Sequence, residues 1–213
     1  MLICENIMFK TRVKICGITS VEDALLAVAN GCDAIGLVFY QPSPRYVTPQ
    51  KAAEIVSALP PFVATVGLFV DASQNNIESI LDQVNLDCLQ FHGDETPEQC
   101  RAYRMHYMKA IRVKPTTNLL QYEIDFYDAK ALLLDTFVEG VVGGTGLAFD
   151  WNLIPETLTK PIVLAGGLTA DNVALAIKQA KPYAVDVSGG VEKSKGVKDA
   201  AKIAAFMQSV SIN

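Results

Sequence analysis

Residues 12–31 read RVKICGITSVEDALLAVANG, an apolar run followed by a helical pattern. The run Arg12–Ile15 predicts a β-strand. The segment Val21–Asn30 carries apolar residues at helical spacing, with Ser20 placed to cap its first turn and Gly31 placed to end it. This stretch is therefore one strand–helix unit, and most of the chain repeats the same arrangement.

Seven further apolar runs alternate with helical patterns along the chain. The other predicted strands are Ala34–Phe39, Ala64–Phe69, Cys88–Phe91, Met108–Val113, Ala131–Asp135, Pro161–Ala165 and Ala184–Val187. The other predicted helices are Pro49–Leu59, Asn75–Val84, Pro97–Met105, Ala170–Gln179 and Val197–Ser209, with a weaker helical pattern over Pro115–Asp128 and a short turn over Trp151–Ile154. Most of the strands are continuously apolar, which is typical of parallel strands covered on both faces.

Eight strands with interleaved helices predict an α/β fold, a (β/α)8 TIM barrel that forms a single domain over residues 1–213. An open doubly wound sheet is the alternative, but the first predicted strand is not followed by the Gly-x-Gly-x-x-Gly turn of dinucleotide-binding sheets. Residues 1–10 are expected to form an N-terminal extension that packs loosely or caps the base of the barrel.

Composition narrows the classes of function. The chain has 213 residues, 50% of them hydrophobic, and a net charge of −5. Because Lys and Arg are scattered, no nucleic-acid partner is expected. The apolar stretches are too short to span a membrane and the N-terminus lacks a signal-peptide pattern, so a cytoplasmic location and no membrane partner are expected. The five cysteines include no Cys-x-x-Cys pair, so neither a disulfide framework nor a metal site is expected.

Two acid–base side chains stand at the ends of predicted strands, where a barrel of this kind places its active site. Cys16 ends the first strand, and a thiolate there could remove a proton from carbon if a positive group lowered its pKa. Asp135 ends the sixth strand after four apolar residues, where burying a carboxylate is costly without a task. The alternatives are a small buried thiol for Cys16 and a loop cap for Asp135.

Two loops add candidate binding residues. Arg45 lies in a proline-stiffened loop after the second strand, and a held guanidinium suits bidentate binding of a carboxylate. His92 follows the fourth strand and could hydrogen-bond a substrate or orient a neighbour. A solvated arginine and a polar loop histidine are the alternatives.

Glycine-rich turns follow the seventh and eighth predicted strands, where such barrels often bind phosphate through backbone N–H groups. A helix is expected after the second turn, adding its positive end. The alternative is that both are only tight turns. The predicted phosphate-binding residues are Gly166, Gly167, Ser188, Gly189 and Gly190.

Taken in order, the motifs of this chain resemble those of the phosphoribosylanthranilate isomerase family of tryptophan biosynthesis. The resemblance runs from about Val13 to Asp199. Its motifs are KICGIT from Lys14, GLVFY from Gly36, SPRY from Ser43, QFHGDE from Gln90, LDT from Leu134, GGTG from Gly143, FDW from Phe149, AGGLT from Ala165, DNV from Asp171, DVSGGVE from Asp186 and GVKD from Gly196.

The resemblance implies an isomerase that carries out an Amadori rearrangement without a cofactor. Its small-molecule substrate would be N-(5-phosphoribosyl)anthranilate and its product 1-(2-carboxyphenylamino)-1-deoxyribulose 5-phosphate. The resemblance implies that Cys16 is the general base, Asp135 the general acid and Arg45 the ligand of the anthranilate carboxylate. His92 and Asp186 are expected to bind substrate.

The sequence departs from the family pattern at one turn, and two other functions are alternatives. The family's usual Ser-Ser-Gly after the eighth strand is Ser188-Gly189-Gly190 here, which removes one hydroxyl donor. A related sugar-phosphate barrel, such as the histidine-pathway isomerase or indole-glycerol phosphate synthase, is the enzymatic alternative. The histidine-pathway enzyme typically uses two aspartates, so the thiol of Cys16 argues against it. A non-catalytic phosphate-binding barrel is the other, and the presence of both Cys16 and Asp135 argues against it.

Overall fold

The computed structural model describes residues 10–136 and 149–211. Its strands are β1 (Arg12–Cys16), β2 (Ala34–Val38), β3 (Ala64–Phe69), β4 (Cys88–Phe91), β5 (His106–Val113), β6 (Ala131–Thr136), β7 (Ile162–Leu164), β8 (Ala184–Val187), β9 (Glu192–Ser194) and β10 (Val197–Lys198). Its α-helices are α1 (Val21–Ala29), α2 (Pro49–Ser57), α3 (Gln74–Leu81), α4 (Pro97–Arg101), α5 (Leu119–Asp125), α6 (Val173–Ala180) and α7 (Ala200–Ser211). Short 3-10 helices cover Trp151–Leu153 and Gly189–Val191.

The first eight strands form a closed barrel in chain order, and every neighbouring pair is parallel. The barrel closes where β1 pairs with β8, which places Lys14 opposite Asp186. This confirms the predicted (β/α)8 barrel and excludes the open sheet. Among the described residues, no helix is long and apolar enough to cross a membrane.

Alternate residues of each strand face two separate apolar layers. The larger layer lies between the strands and the helices and includes Ile15, Phe69 and Leu89. A smaller cluster, with many alanine and valine side chains, fills the barrel interior and includes Leu133 and Val163. Polar side chains at the same inward register therefore come together where the strands end.

The helix starts follow the local sequence. The Ser20 hydroxyl accepts a hydrogen bond from the backbone N–H of Asp23, which confirms the predicted cap of α1. Helix α4 begins with a capping box in which Thr96 and Gln99 each accept from the other's backbone N–H. These caps fix where each helix leaves its loop.

The segment after β8 differs from the prediction. Residues Val197–Lys198 pair with Glu192–Ser194 in a small antiparallel hairpin, and the helix predicted from Val197 begins at Ala200. Gly196 makes the turn of this hairpin with a φ of +80°, a conformation that favours glycine. The helix expected directly after Gly190 is instead the one-turn 3-10 helix.

Other boundaries shift less. Helix α4 ends at Arg101 rather than Met105, because β5 already begins at His106. Helix α6 begins at Val173 rather than Ala170, because the Asn172 side chain bonds the backbone of Thr169 and Gly167 ahead of the helix. The weak pattern over Pro115–Asp128 forms the short helix α5.

Two sequence expectations concern residues outside the described part of the chain. The predicted N-terminal extension covers residues 1–10, and residues 1–9 lie outside the described part. The glycine-rich motif that starts at Gly143 lies between residues 137 and 148. The single-domain boundary at 1–213 likewise stays a prediction.

Candidate active site

A cavity of about 760 Å³ opens where the barrel strands end. All ten predicted site residues line it: Cys16, Arg45, His92, Asp135, Gly166, Gly167, Asp186, Ser188, Gly189 and Gly190. Within residues 10–136 and 149–211, no cluster of three His, Cys, Asp or Glu side chains is arranged to hold a metal ion. The side chains that line the cavity thus include a thiol, carboxylates, an imidazole and a guanidinium.

Cys16 and Lys14 share the inward face of β1, as strand alternation predicts when the strand is regular. Both side chains pack against Gly36 of β2. A Cβ built on Gly36 would be 2.7 Å from the Cys16 Sγ and 3.1 Å from the Lys14 Cε. Any larger residue at 36 would displace the thiol. Gly36 is thus the part of the second strand that makes room for Cys16.

Opposing influences act on the Cys16 thiol. Burial raises its pKa, while the nearby Lys14 ammonium acts to lower it. Lys14 donates a 2.9 Å hydrogen bond to Asp186 Oδ2. Burial acts to lower the pKa of Lys14, but Asp186 and Cys16 outweigh it and raise that pKa. Lys14 is therefore a positive charge beside the thiol that favours the thiolate, while burial opposes it.

Asp135 belongs to a chain of three buried polar side chains. Its Oδ2 lies 3.2 Å from His92 Nε2, and its Oδ1 accepts a 2.7 Å hydrogen bond from the backbone N–H of Thr136. The other ring nitrogen of His92, Nδ1, lies 2.9 Å from Nε2 of the Gln90 amide. His92 thus contacts the predicted acid, and its expected binding of substrate stays a prediction.

Arg45 is held by a partner that the sequence did not indicate. Its Nε and Nη2 donate to the two carboxylate oxygens of Glu192 at 2.7 and 2.8 Å. The remaining edge, with Nη1, makes no hydrogen bond to any residue in the described part of the chain. Gly17, with a φ of +74°, lets the Arg45 side chain cross it, because a Cβ there would collide with Arg45 Cδ. Arg45 is therefore a positioned guanidinium and not a solvated one.

Lys198 connects this network to β1. Its Nζ donates to the Glu192 carboxylate at 3.0 Å and to the backbone carbonyl oxygen of Cys16 at 2.6 Å. Burial acts to raise the pKa of Glu192, but hydrogen bonds from Arg45 and the charge of Lys198 hold it below its ordinary value. Glu192 is therefore a buried anion that two cations share.

The two glycine-rich turns line the cavity, and they require glycine for different reasons. Gly166 and Gly167 have φ values of +82° and +64°, which favour glycine. Gly190 has no such φ, and a Cβ there would collide with the carbonyl oxygen of Leu168. Gly189 has ordinary space around it, and the Ser188 hydroxyl is buried with no partner among the described residues.

Four residues that sequence reasoning did not place in the site take part in it: Lys14, Gln90, Glu192 and Lys198. Lys14 lies in a predicted strand, Lys198 lies in a predicted helix and Glu192 lies between predicted elements. The fold buries all three of these charged residues. A charge within an apolar strand, as at Lys14, is a signal that the sequence carries. The pairing partners of Gln90 and Lys198 depend on the fold and leave no local signal.

The sequence of this chain is similar to those of proteins of one known family. Residues 13–209 match the family model described as N-(5'phosphoribosyl)anthranilate (PRA) isomerase. The N-(5'-phosphoribosyl)anthranilate isomerase of Pseudomonas paraeruginosa strain DSM 24068 / PA7 is 62% identical over 199 residues, which cover 93% of this chain and 94% of that protein.

Solved structures agree with that match. The phosphoribosyl anthranilate isomerase of Thermotoga maritima superposes with a TM-score of 0.86 at 40% identity, covering 95% of this chain and all of that one. Another phosphoribosyl anthranilate isomerase, solved in complex with reduced 1-(o-carboxyphenylamino)-1-deoxyribulose 5-phosphate, gives a TM-score of 0.80 at 38% identity, with 95% of this chain and 100% of that chain covered.

Proposed function

The chain belongs to the N-(5'-phosphoribosyl)anthranilate isomerase family, and we propose that it works by proton transfers between its substrate and the side chains of Asp135 and Cys16. It is an isomerase of tryptophan biosynthesis that acts on a small molecule. The observation that carries the mechanism is that both side chains line one cavity although they come from β6 and β1.

The substrate has two anionic ends, and the cavity offers a site for each. We assign its phosphate to the turns at Gly166–Gly167 and Ser188–Gly190, because both turns line the cavity and backbone N–H groups in such turns bind phosphate. The anthranilate carboxylate would bind the edge of Arg45 that makes no hydrogen bond to the described residues, while Glu192 holds the other edge. Asp186 also lines the cavity, where it is paired with Lys14.

Ring opening is the first chemical step. Asp135 donates its proton to the ribose ring oxygen, and the bond between that oxygen and C1 breaks as the nitrogen lone pair forms a C1=N bond. The product is a protonated Schiff base with an open sugar chain, and Asp135 is left as a carboxylate. The N–H of Thr136 and the imidazole of His92 are placed to stabilise that carboxylate.

Proton abstraction is the second step. The Cys16 thiolate removes the proton from C2, and the electron pair of that C–H bond forms the C1=C2 bond of an enolamine as the nitrogen becomes neutral. The enolamine then loses the proton of its C2 hydroxyl and gains one at C1 to give the ketone. The cation formed at ring opening favours the thiolate, which offsets the burial that raises the pKa of Cys16.

We also infer a cytoplasmic location. The described cysteines Cys16, Cys32, Cys88 and Cys100 are unpaired thiols, which suits a reducing compartment. The net charge of −5 and the scattered Lys and Arg support the absence of a nucleic-acid partner.

The experiment that tests the function generates phosphoribosylanthranilate in situ and follows the loss of its fluorescence. Catalytic amounts of the purified protein should remove it at a rate proportional to enzyme concentration. The mass should stay unchanged, which excludes hydrolysis, and conversion of the aldose to a ketose should identify the product. Stoichiometric binding without turnover would favour the non-catalytic phosphate-binding barrel.

A further inference from the structure

Gln90 is a fully buried amide on β4 that the mechanism above does not use. Its Nε2 lies 2.9 Å from Nδ1 of His92, and His92 in turn contacts Asp135. The other amide atom, Oε1, is buried and has no hydrogen-bond partner among the described residues. Gln90 also lines the cavity.

Packing alone does not account for this residue. A buried carbonyl oxygen without a partner is costly, and Met would fill a similar volume without that cost. The residue paired with Gln90 on β5, Met108, is apolar. The benefit of an amide at position 90 must therefore come from its one described contact, the ring of His92.

The orientation of the Gln90 amide decides which nitrogen of His92 carries the proton. When Gln90 donates through Nε2, His92 accepts at Nδ1 and carries its proton on Nε2, so that it donates to Asp135. In the reverse orientation His92 carries its proton on Nδ1, and its bare Nε2 accepts a proton from Asp135. Only the first arrangement leaves the proton of Asp135 available to a substrate.

We propose that Gln90 is a positioning residue that holds His92 with its proton on Nε2, so that His92 donates to Asp135 and the acid proton of Asp135 is kept for the substrate. This rests on the proposed role of Asp135 as general acid. The backbone N–H of Thr136 occupies Oδ1, so Oδ2 is the oxygen that His92 and the acid proton share. Gln90 therefore acts on the reaction through two other side chains.

Nitrogen NMR reads the tautomer directly. The chain has two histidines, so His106→Gln in untagged, ¹⁵N-labelled protein leaves His92 as the one imidazole. We expect the ring shifts of a neutral His92 protonated on Nε2, in the free enzyme and with the reduced product analogue bound. Gln90→Met should lose this single-tautomer pattern. A protonated Nδ1 in the parent protein, or an unchanged spectrum in Gln90→Met, would overturn the proposal.

Kinetics separates positioning from a structural or binding role. Gln90→Met should lower kcat about tenfold, as expected for the loss of one hydrogen bond, while KM changes less than about twofold and the urea midpoint stays near that of the parent. Gln50→Met is the matched control, because Gln50 also donates an amide hydrogen bond but is an exposed residue of α2. A raised KM with unchanged kcat would make Gln90 a substrate contact instead.

A double mutant separates this proposal from the proposed function. In an Asp135→Asn background, Gln90→Met should have little further effect on kcat, because Gln90 acts through Asp135. Full additivity of the two effects would contradict the proposal. If Asp135→Asn alone kept full activity, the proposed acid would be wrong, whereas the NMR result would still report whether Gln90 sets the tautomer.

Discussion

The Nζ atom of Lys198 lies 2.6 Å from the backbone carbonyl oxygen of Cys16, across 182 positions of the chain. The same ammonium lies 3.0 Å from Glu192, which holds Arg45 through two hydrogen bonds. The small hairpin after β8 therefore fixes the end of β1 and the guanidinium of Arg45 together. Cys16, the proposed base, and Arg45, which is proposed to bind the substrate carboxylate, are therefore held by the same buried ion pair between Lys198 and Glu192.

Removing the proton of the proposed acid should block ring opening. We expect Asp135→Asn to lower kcat by about 10²–10⁴, because the amide keeps the shape but donates no acid proton. The fluorescence assay gives this rate, and circular dichroism checks the fold. Asp150→Asn is the control, since Asp150 caps an exposed turn. A substrate analogue with its ring already open should lose much less rate, and an equal loss would contradict the assignment of this step.

Loosening Arg45 should weaken substrate binding. We expect Glu192→Gln to raise KM about tenfold and to lower kcat less, because the neutral amide no longer fixes the guanidinium by two charge-assisted hydrogen bonds. Steady-state kinetics measures the split. Glu54→Gln, which alters an exposed ion pair with Lys51, should leave both constants unchanged.

A second comparison tests where the carboxylate binds. Arg45→Ala should also raise KM and should lose discrimination against an analogue without the anthranilate carboxylate. If that analogue lost as much affinity in Arg45→Ala as the substrate does, the carboxylate would bind elsewhere.

Activity should rise with pH through the titration of Cys16. The base must lose its proton, and burial raises the pKa of the free thiol above its ordinary value of about 8.5, so kcat/KM of the free enzyme should still increase between pH 7 and 9. Alkylation of Cys16 by iodoacetamide should follow the same curve. Lys14→Met should move its midpoint upward, because the ammonium that favours the thiolate is gone. A midpoint well below 8, or a downward shift in Lys14→Met, would contradict this account.

The fold was predictable because alternation is strong and local. The predicted bounds of β3, β4 and β8 agree with the structure, and β1 extends by one residue to Cys16. The hairpin at Val197–Lys198 was not predictable from its own sequence, since its apolar spacing continues that of α7. Its conformation depends on contacts of Lys198 with Glu192 and Cys16, which exist only once the barrel has closed.

In the candidate site, the residues at strand ends could be predicted from the sequence, but their hydrogen-bond partners could not. Residues at strand ends, such as Cys16 and Asp135, could be placed because every parallel strand of a barrel delivers its end to one face. Their partners could not, because hydrogen bonds such as that between Gln90 and His92 depend on side-chain direction in the closed barrel. The chemical roles of all these residues remain predictions.

The phosphate turns should respond differently to two substitutions. Gly190→Val should raise KM strongly and destabilise the turn, because its Cβ would collide with the Leu168 carbonyl oxygen. Gly189→Ser should be tolerated, because a Cβ there has only an ordinary contact, 3.5 Å from Arg45 Nη2. The added hydroxyl should lower the inhibition constant of inorganic phosphate, which competition assays measure. Noncompetitive inhibition, or weaker phosphate inhibition in Gly189→Ser, would place the anion elsewhere.

The most direct test of the proposed proton transfers is the kcat of Cys16→Ser, compared with that of Cys88→Ser. Both thiols lie on the inward side of the barrel, but only Cys16 lines the cavity. A serine hydroxyl does not form its anion at neutral pH, so Cys16→Ser should lose about 10²–10⁴ in kcat with the fold intact, while Cys88→Ser stays close to the parent. A folded Cys16→Ser protein that removes phosphoribosylanthranilate at the parent rate would contradict the account.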